Sequence, residues 1–191
     1  MRTERIGFAV CGSFCTHEQV LEALKGLVKE YETVIPIVSE ISADTDTRFG
    51  TSQALLEKLE SVTGQKPLQG ISEVEPIGPK GLLDVLVIAP ATGNTLAKLA
   101  AGITDTTVTM AAKAHLRGGK PLVLAVSTHD GLSGSAQNIG ALLQRKNVYF
   151  VPFRQDDPAK KPFSLVADFS RLEETLGAAV EGRQLQPVLV S

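Results

Sequence analysis

The sequence predicts a doubly wound α/β fold, with a mostly parallel sheet between two helix layers as in Rossmann-like and flavodoxin-like three-layer sandwiches. Strand-like and helix-like patterns alternate along the 191 residues, with no long hairpin between them. The strongest strand pattern, at 85–89 (VLVIA), is apolar on both faces, as expected of a buried parallel strand. Proline and glycine stand at the junctions rather than in one linker, so we expect a single domain over residues 1–191.

The first half of the chain begins with an apolar strand at 6–11 and a helix at 18–31, whose apolar residues recur every three or four positions. The next strand is expected at 34–38, where Pro36 favours a place near the sheet edge. A helix at 52–62 then leads to the strongest strand.

The second half of the chain repeats this alternation, and the same two periodicities identify its elements. A short tail at 187–190 is expected to pack or pair at a sheet edge. The remaining predicted elements are, in order, helices at 94–101 and 108–116, a strand at 122–126, a helix at 136–143, a strand at 148–151 and a helix at 165–180.

The composition argues against several classes of protein. With 19 basic and 21 acidic side chains the net charge is −2, so no basic field is available for DNA or RNA. No apolar run reaches the length of about 18 residues that spans a bilayer, and no signal peptide is evident, which favours a cytoplasmic protein. Cys11 and Cys15 are spaced unlike a redox pair or a zinc site, so we expect reduced, largely buried thiols and no metal.

The loop after the first strand (GSFCTHEQ) carries candidate phosphate ligands, although it has neither G-x-G-x-x-G nor a P-loop. Gly12 suits the turn, and the hydroxyls of Ser13 and Thr16 precede a helix start, which attracts anions. Thr16 and Gln19 also fit a capping box, so an ordinary capped helix explains the same residues. His17 is either a catalytic residue or a solvent-facing histidine of the first turn.

The loop after the second strand places Arg48 beside Phe49. A guanidinium next to an aromatic wall suits a planar carboxylate, which makes both residues candidates for substrate binding. The alternative interpretation is an ion pair between Arg48 and Asp44 or Asp46 in a surface loop. The sequence leaves these two interpretations open.

The most informative segment, PATGNTLAKLAAGITD, follows the strongest strand. Thr92, Asn94 and Thr95 place two hydroxyls and an amide at a helix start, where they suit phosphate oxygens or the edge of a heterocycle. Ala91 and Gly93 leave room for a ligand close to the backbone. A capped helix start explains Asn94 and Thr95 but not the whole run, so we interpret the segment as functional.

Two further loops carry polar residues after strands. Ser127 and Thr128 follow the fourth strand, where they suit hydrogen bonds to a ligand ring or chain. His129 and Asp130 form either an acid–base pair or, more commonly for adjacent residues, a turn. A basic cluster after the fifth strand is either a solvated surface or a site for a dianionic substrate or acidic partner; it consists of Arg154, Lys160 and Lys161.

Together these motifs resemble a known family. The PATGNT turn and the AAGITD segment at 100–105 are similar to the PAxxNT…GxAD signature of the FMN-dependent cysteine-decarboxylase-like flavoproteins. Over its whole length the chain more closely resembles the B-subunit family of bacterial dipicolinate synthases. That resemblance rests on 12–16 (GSFCT), 47–50 (TRFG), 76–80 (PIGPK), 104–114 (TDTTVTMAAKA), 155–158 (QDDP) and 184–187 (QLQP).

The resemblance implies a part in oxidising a dihydrodipicolinate-level precursor to dipicolinate, in the mother-cell cytoplasm of a sporulating bacterium. It implies FMN as cofactor, NADP as acceptor through the separate nicotinamide-dependent A-subunit of dipicolinate synthase, and a homo-oligomer. By position, FMN contacts are expected at Ser13, Ser39, Pro90, Ala91, Thr92, Asn94, Thr95, Asp105, Ser127 and Thr128.

The leading hypothesis is therefore one subunit of a redox enzyme. Arg48, with Arg154 or Lys113, is expected to hold the two carboxylates of the substrate, and His17 is the candidate general base. A non-catalytic partner that binds the dicarboxylate or stabilises the A-subunit without flavin is the alternative. An FMN-dependent decarboxylase or prenyltransferase is disfavoured, because STHD at 127–130 replaces the family's PxMNxxM segment and 65–73 contains no histidine.

Overall fold

The computed structural model describes every residue from Met1 to Ser191 and confirms the predicted α/β class. Its strands are β1 (Arg2–Val10), β2 (Tyr31–Val38), β3 (Val85–Ala91), β4 (Leu122–Thr128), β5 (Val148–Phe150), β6 (Phe153–Asp157) and β7 (Lys161–Ala167). Its helices are α1 (His17–Glu30), α2 (Glu40–Asp44), α3 (Ser52–Thr63), α4 (Ile71–Val74), α5 (Gly93–Ala101), α6 (Thr107–Leu116), α7 (Ala136–Leu143) and α8 (Leu172–Val180).

The parallel part of the sheet runs β2-β1-β3-β4, with β5 also beside β4. Because β1 has β2 on one side and β3 on the other, the winding reverses between β1 and β3. One helix layer contains α3, α1 and α8 in contact, and the other contains α4, α6, α5 and α7. All residues of β3 are buried between them, as its two apolar faces predict.

The second strand lies at the sheet edge, as Pro36 predicts. Its outer side is partly covered, since Leu68 N donates to Pro36 O at 2.9 Å and Val38 N donates to Leu68 O at 2.9 Å. A proline is tolerated there because the sheet needs only its carbonyl.

The expectation of a sheet without long hairpins is wrong at the end of the chain. β6 and β7 form an antiparallel hairpin, and β7 pairs with Ser127 and Thr128 of β4. The last helix begins at Leu172 rather than at 165, because residues up to Ala167 belong to β7. Lys161–Ala167 is too short a run to distinguish a strand from a helix by period alone.

The C-terminal tail pairs with the beginning of β6, as expected. Phe153 N donates to Val188 O at 3.0 Å, and Val190 N donates to Phe153 O at 3.1 Å. Gln184 covers the adjacent edge of β5 by bonding both the N–H and the C=O of Phe150. These contacts protect edge strands from pairing with other chains. No helix is long and apolar enough to cross a membrane.

Candidate functional site

The candidate site is the crevice at the carboxyl ends of β1, β3 and β4. The chain passes from β1 to α1 in one layer and from β3 to α5 in the other, so the two loops separate above the sheet. This reversal is where open α/β sheets bind their ligands. The polar loops predicted from the sequence therefore meet at one edge.

Ser13 closes one side of the crevice. Its backbone is left-handed, with φ of 66°, which a non-glycine residue rarely adopts. Its hydroxyl lies 2.6 Å from Ser127 Oγ, so the loop after β1 is joined to the end of β4 across the end of β3. Such strain, held by surrounding contacts, is typical of ligand-binding segments.

The predicted capping box at Thr16 and Gln19 is wrong. Thr16 precedes α1 but its side chain caps no N–H group of the helix. Instead its hydroxyl donates to Ser13 O at 2.8 Å, and it is buried. Thr16 therefore supports the conformation of Ser13, and its proton is not available to a ligand.

His17 is half-buried rather than solvent-facing. Its Nε2 lies 2.8 Å from Cys11 O, and its ring centroid is 5.1 Å from that of Phe14. Burial lowers the pKa of the His17 imidazole, which favours a neutral ring with the proton on Nε2. Only Nδ1 remains to accept a proton, and the catalytic role of His17 stays a prediction.

Thr92 and Thr95 are committed to contacts within the chain. Thr92, rather than Asn94 or Thr95, caps α5, because its Oγ1 accepts from Thr95 N at 3.3 Å. Thr95 Oγ1 donates to Cys11 Sγ at 3.3 Å and lies 3.1 Å from Thr92 Oγ1. Burial raises the pKa of the Cys11 thiol to about 12, so this thiol is protonated and inert. Asn94 is exposed, and its side chain forms no hydrogen bond.

The loop after β4 contains a turn around Asp130 rather than an acid–base pair. Asp130 Oδ1 accepts from Thr128 Oγ1 at 2.6 Å and from Ser135 Oγ at 2.8 Å. These two hydroxyls lower the pKa of the Asp130 carboxyl. His129 is exposed and forms no hydrogen bond with Asp130.

The loop after β2 also binds to itself and to α6. Ser39 Oγ donates to Ser42 Oγ at 3.1 Å, and both serines are buried. Glu40 Oε1 accepts from the N–H and the hydroxyl of Thr107 at 2.8 and 2.7 Å. Glu40 therefore neutralises the start of α6.

Arg48 forms no ion pair, so pairing with Asp44 or Asp46 does not occur in the structure. Its guanidinium carbon lies 4.8 Å above the Phe49 ring. Arg48 and Phe49 lie at the tip of a tight turn, in which Thr47 N donates to Gly50 O at 3.0 Å and Gly50 N donates to Thr47 O at 3.1 Å. Phe49 lines a groove of about 840 Å³ between α1 and α3.

The other predicted substrate and cofactor residues are not brought to Arg48. Arg154 lies in a second groove, of about 670 Å³, on the other side of α1. Lys113 is exposed on α6, in the helix layer on the other side of the sheet from α1 and α3. Asp105 accepts from Lys98 Nζ at 2.8 and 3.0 Å. Of the basic residues predicted to bind the substrate, only Arg48 lies beside the Phe49 ring.

Sequence reasoning missed Ser135 as a structural neighbour of the crevice. Ser135 lies at the start of α7 and has no local motif that points to Thr128. The only signal is Gly93, where a Cβ would lie 2.6 Å from Thr128 Oγ1 and 2.7 Å from Ser135 Oγ. A glycine at the first turn of a helix after a buried strand indicates close packing against a neighbouring loop.

Comparisons with known proteins identify the family of the chain. A family model described as Flavoprotein matches residues 1–184. The B-subunit of dipicolinate synthase from Bacillus subtilis (strain 168) is 45% identical over 190 residues, covering 100% of this chain and 95% of that protein. The crystal structure of the corresponding B-subunit from Bacillus halodurans is 44% identical, with a TM-score of 0.90 over 98% of this chain and 96% of that one.

A more distant solved structure shares the fold. The FMN-dependent cysteine decarboxylase SpaF is 24% identical, with a TM-score of 0.63 over 92% of this chain and 97% of that one. The family match covers nearly the whole chain, and the relatives of higher identity match it end to end. The chain therefore belongs to the flavoprotein family and, within it, to the dipicolinate synthase B-subunits.

Proposed function

We propose that the chain is the FMN-binding component of a dipicolinate synthase, acting with a nicotinamide-dependent A-subunit in the cytoplasm of a sporulating mother cell. The observation that carries the proposal is the crevice at the winding reversal, where Ser13 Oγ and Ser127 Oγ lie 2.6 Å apart across the end of β3. Family membership and the FMN dependence of the decarboxylase SpaF support the choice of flavin.

The residues of the crevice fit FMN. An added Cβ at Gly12 would be in ordinary contact with Thr92 and Ile41, at 3.7 and 3.9 Å, so this turn packs against both residues. The start of α1 gives a positive dipole end to the phosphate, beside the Ser13 hydroxyl. We assign the phosphate to this end rather than to α5, because the hydroxyls of Thr92 and Thr95 at the start of α5 are bonded within the chain. When bound, FMN supplies a two-electron acceptor.

The reaction we propose removes one hydride and one proton from a dihydro ring and leaves an aromatic pyridine dicarboxylate. The electrons leave as NADPH from the A-subunit. The contribution of this chain is to orient the substrate: Arg48 would bind one carboxylate beside the Phe49 ring. Lys113 and Arg154 lie elsewhere, so neither joins Arg48 in binding the substrate.

The first experiment is the visible absorption spectrum of the freshly purified chain, with free FMN measured in the supernatant after heat denaturation. Flavin bands, or uptake of added FMN with quenching of its fluorescence, support the proposal. A colourless chain that fails to take up FMN refutes it. The chain would then be a partner that binds the dicarboxylate or stabilises the A-subunit without flavin.

A matched pair of variants tests the crevice itself. Ser127→Ala removes a buried hydroxyl that lies 2.6 Å from Ser13 and should weaken FMN binding about tenfold. Ser72→Ala removes an exposed hydroxyl on α4, away from the crevice, and should leave FMN binding unchanged. Equal loss in both variants would exclude the Ser13–Ser127 bridge from the site.

A further inference from the structure

The loop after β4 contains a hydrogen-bond arrangement that fixes the direction of one proton. Thr128 Oγ1 lies 2.6 Å from Asp130 Oδ1, and Ser135 Oγ lies 2.8 Å from the same oxygen. An ionised carboxylate only accepts hydrogen bonds, so both hydroxyls must donate to it. Thr128 has a single hydroxyl proton, and that proton points at Asp130.

Packing holds the Asp130 carboxylate in place. Its backbone carbonyl accepts from Ser133 N at 2.9 Å and from Ser135 N at 3.0 Å, which fixes the turn. Gly93 and Gly134 leave the space that it occupies, since an added Cβ at either position would lie 3.0 Å from a carboxylate oxygen. The carboxylate is therefore held beside Thr128 by two hydroxyl hydrogen bonds and by the turn.

We propose that Asp130 is a positioning residue that makes the Thr128 hydroxyl a hydrogen-bond acceptor for the bound cofactor. The proposal rests on the proposed FMN site and specifies its chemistry at this end. With its proton committed, Thr128 offers only lone pairs, which bind a neutral donor and not a phosphate. FMN carries two kinds of neutral donor, the imide N–H of its ring and the hydroxyls of its ribityl chain.

The test is the equilibrium affinity of the full-length chain for FMN, measured by fluorescence quenching. Thr128→Val removes the acceptor, and Asp130→Ala releases its proton; each should weaken binding about tenfold. The double variant should bind no more weakly than Thr128→Val alone, because Asp130 acts through Thr128.

Two variants separate positioning from a general structural role. Asp130→Asn retains an oxygen that accepts from both hydroxyls and should restore affinity to within about threefold of the parent. Ser135→Ala removes the other hydroxyl bond to Asp130 and leaves Thr128 intact, so affinity should stay within about twofold. Melting curves of every variant confirm that it is folded.

The FMN analogue methylated at the imide nitrogen distinguishes the two donors. If the imide binds Thr128, methylation weakens binding to the parent and not to Thr128→Val; if a ribityl hydroxyl binds it, methylation affects both equally. Additive losses of FMN affinity in the double variant, or unchanged affinity in Asp130→Ala, would overturn the role of Asp130 and leave the proposed cofactor standing. Failure of the parent chain to bind FMN would instead overturn the proposed cofactor.

Discussion

Gly93→Ala is the substitution whose effect the structure predicts most directly. The new Cβ would lie 2.6 Å from Thr128 Oγ1, 2.7 Å from Ser135 Oγ and 3.0 Å from Asp130 Oδ1. Carbon and oxygen atoms do not approach so closely without displacement. At least one hydroxyl must therefore move and lose its bond to the carboxylate.

The expected loss of stability combines three contributions. Overpacking costs about 1–3 kcal/mol, and a lost hydrogen bond to a charged group costs about 1.5–3 kcal/mol. Alanine in a helix recovers about 1 kcal/mol relative to glycine. We expect a net loss of about 1.5–5 kcal/mol, which lowers the melting temperature of a chain of this size by about 3–20 °C.

Thermal and urea denaturation, followed by circular dichroism, measure this loss. The matched control is Gly26→Ala within α1, where an added Cβ meets nothing within 4 Å. That variant should be stabilised by up to about 1 kcal/mol. A Gly93→Ala protein that melts with the parent or above it would refute the packing assigned to this loop.

Three further perturbations have expected outcomes. Burial lowers the pKa of His115, so its contribution to stability is complete above about pH 6.5 and is lost as the pH falls; urea denaturation should show a shallower acid slope in His115→Gln. The Arg5 guanidinium lowers the pKa of Asp84. Asp84→Asn should therefore lower the free energy of unfolding by about 1–2 kcal/mol near neutral pH and by less below about pH 4. An equal loss at both pH values would contradict this. Cys15 is exposed and Cys11 is buried, so a thiol reagent should modify one cysteine in the folded chain and both in urea.

The parallel core could be predicted because its signals are local. A strand that is apolar on both faces has few alternatives, and β3 lies where its pattern predicts it. The β6–β7 hairpin was missed because its residues are stabilised by pairing with β4, a contact distant in sequence. The first three residues of β7 are exposed, and only its last three alternate in burial. The exposed part of the strand therefore has no alternating pattern that would identify it in the sequence.

The meeting of the polar loops at one edge of the sheet was predicted from the sequence, but the direction of their hydrogen bonds was not. From the sequence, every hydroxyl at a strand end is a potential donor to a ligand, because the sequence does not give the hydrogen-bond partner of each hydroxyl proton. In the structure most of these protons are committed: Thr16 donates to Ser13 O, Ser39 to Ser42, and Thr95 to Cys11. The pair formed by Ser13 and Ser127 uses one of its two protons, so one remains.

The commitment of these protons changes what the crevice can bind. A site of many free hydroxyl donors would suit a phosphate at any strand end, whereas this crevice keeps one serine proton and the start of α1 for an anion. At the next residue of β4 it presents the Thr128 lone pairs, backed by the Asp130 carboxylate. A ligand that satisfies both groups must carry an anionic group and a neutral hydrogen-bond donor. FMN carries both kinds of group, so the polarity of the crevice fits the proposed flavin.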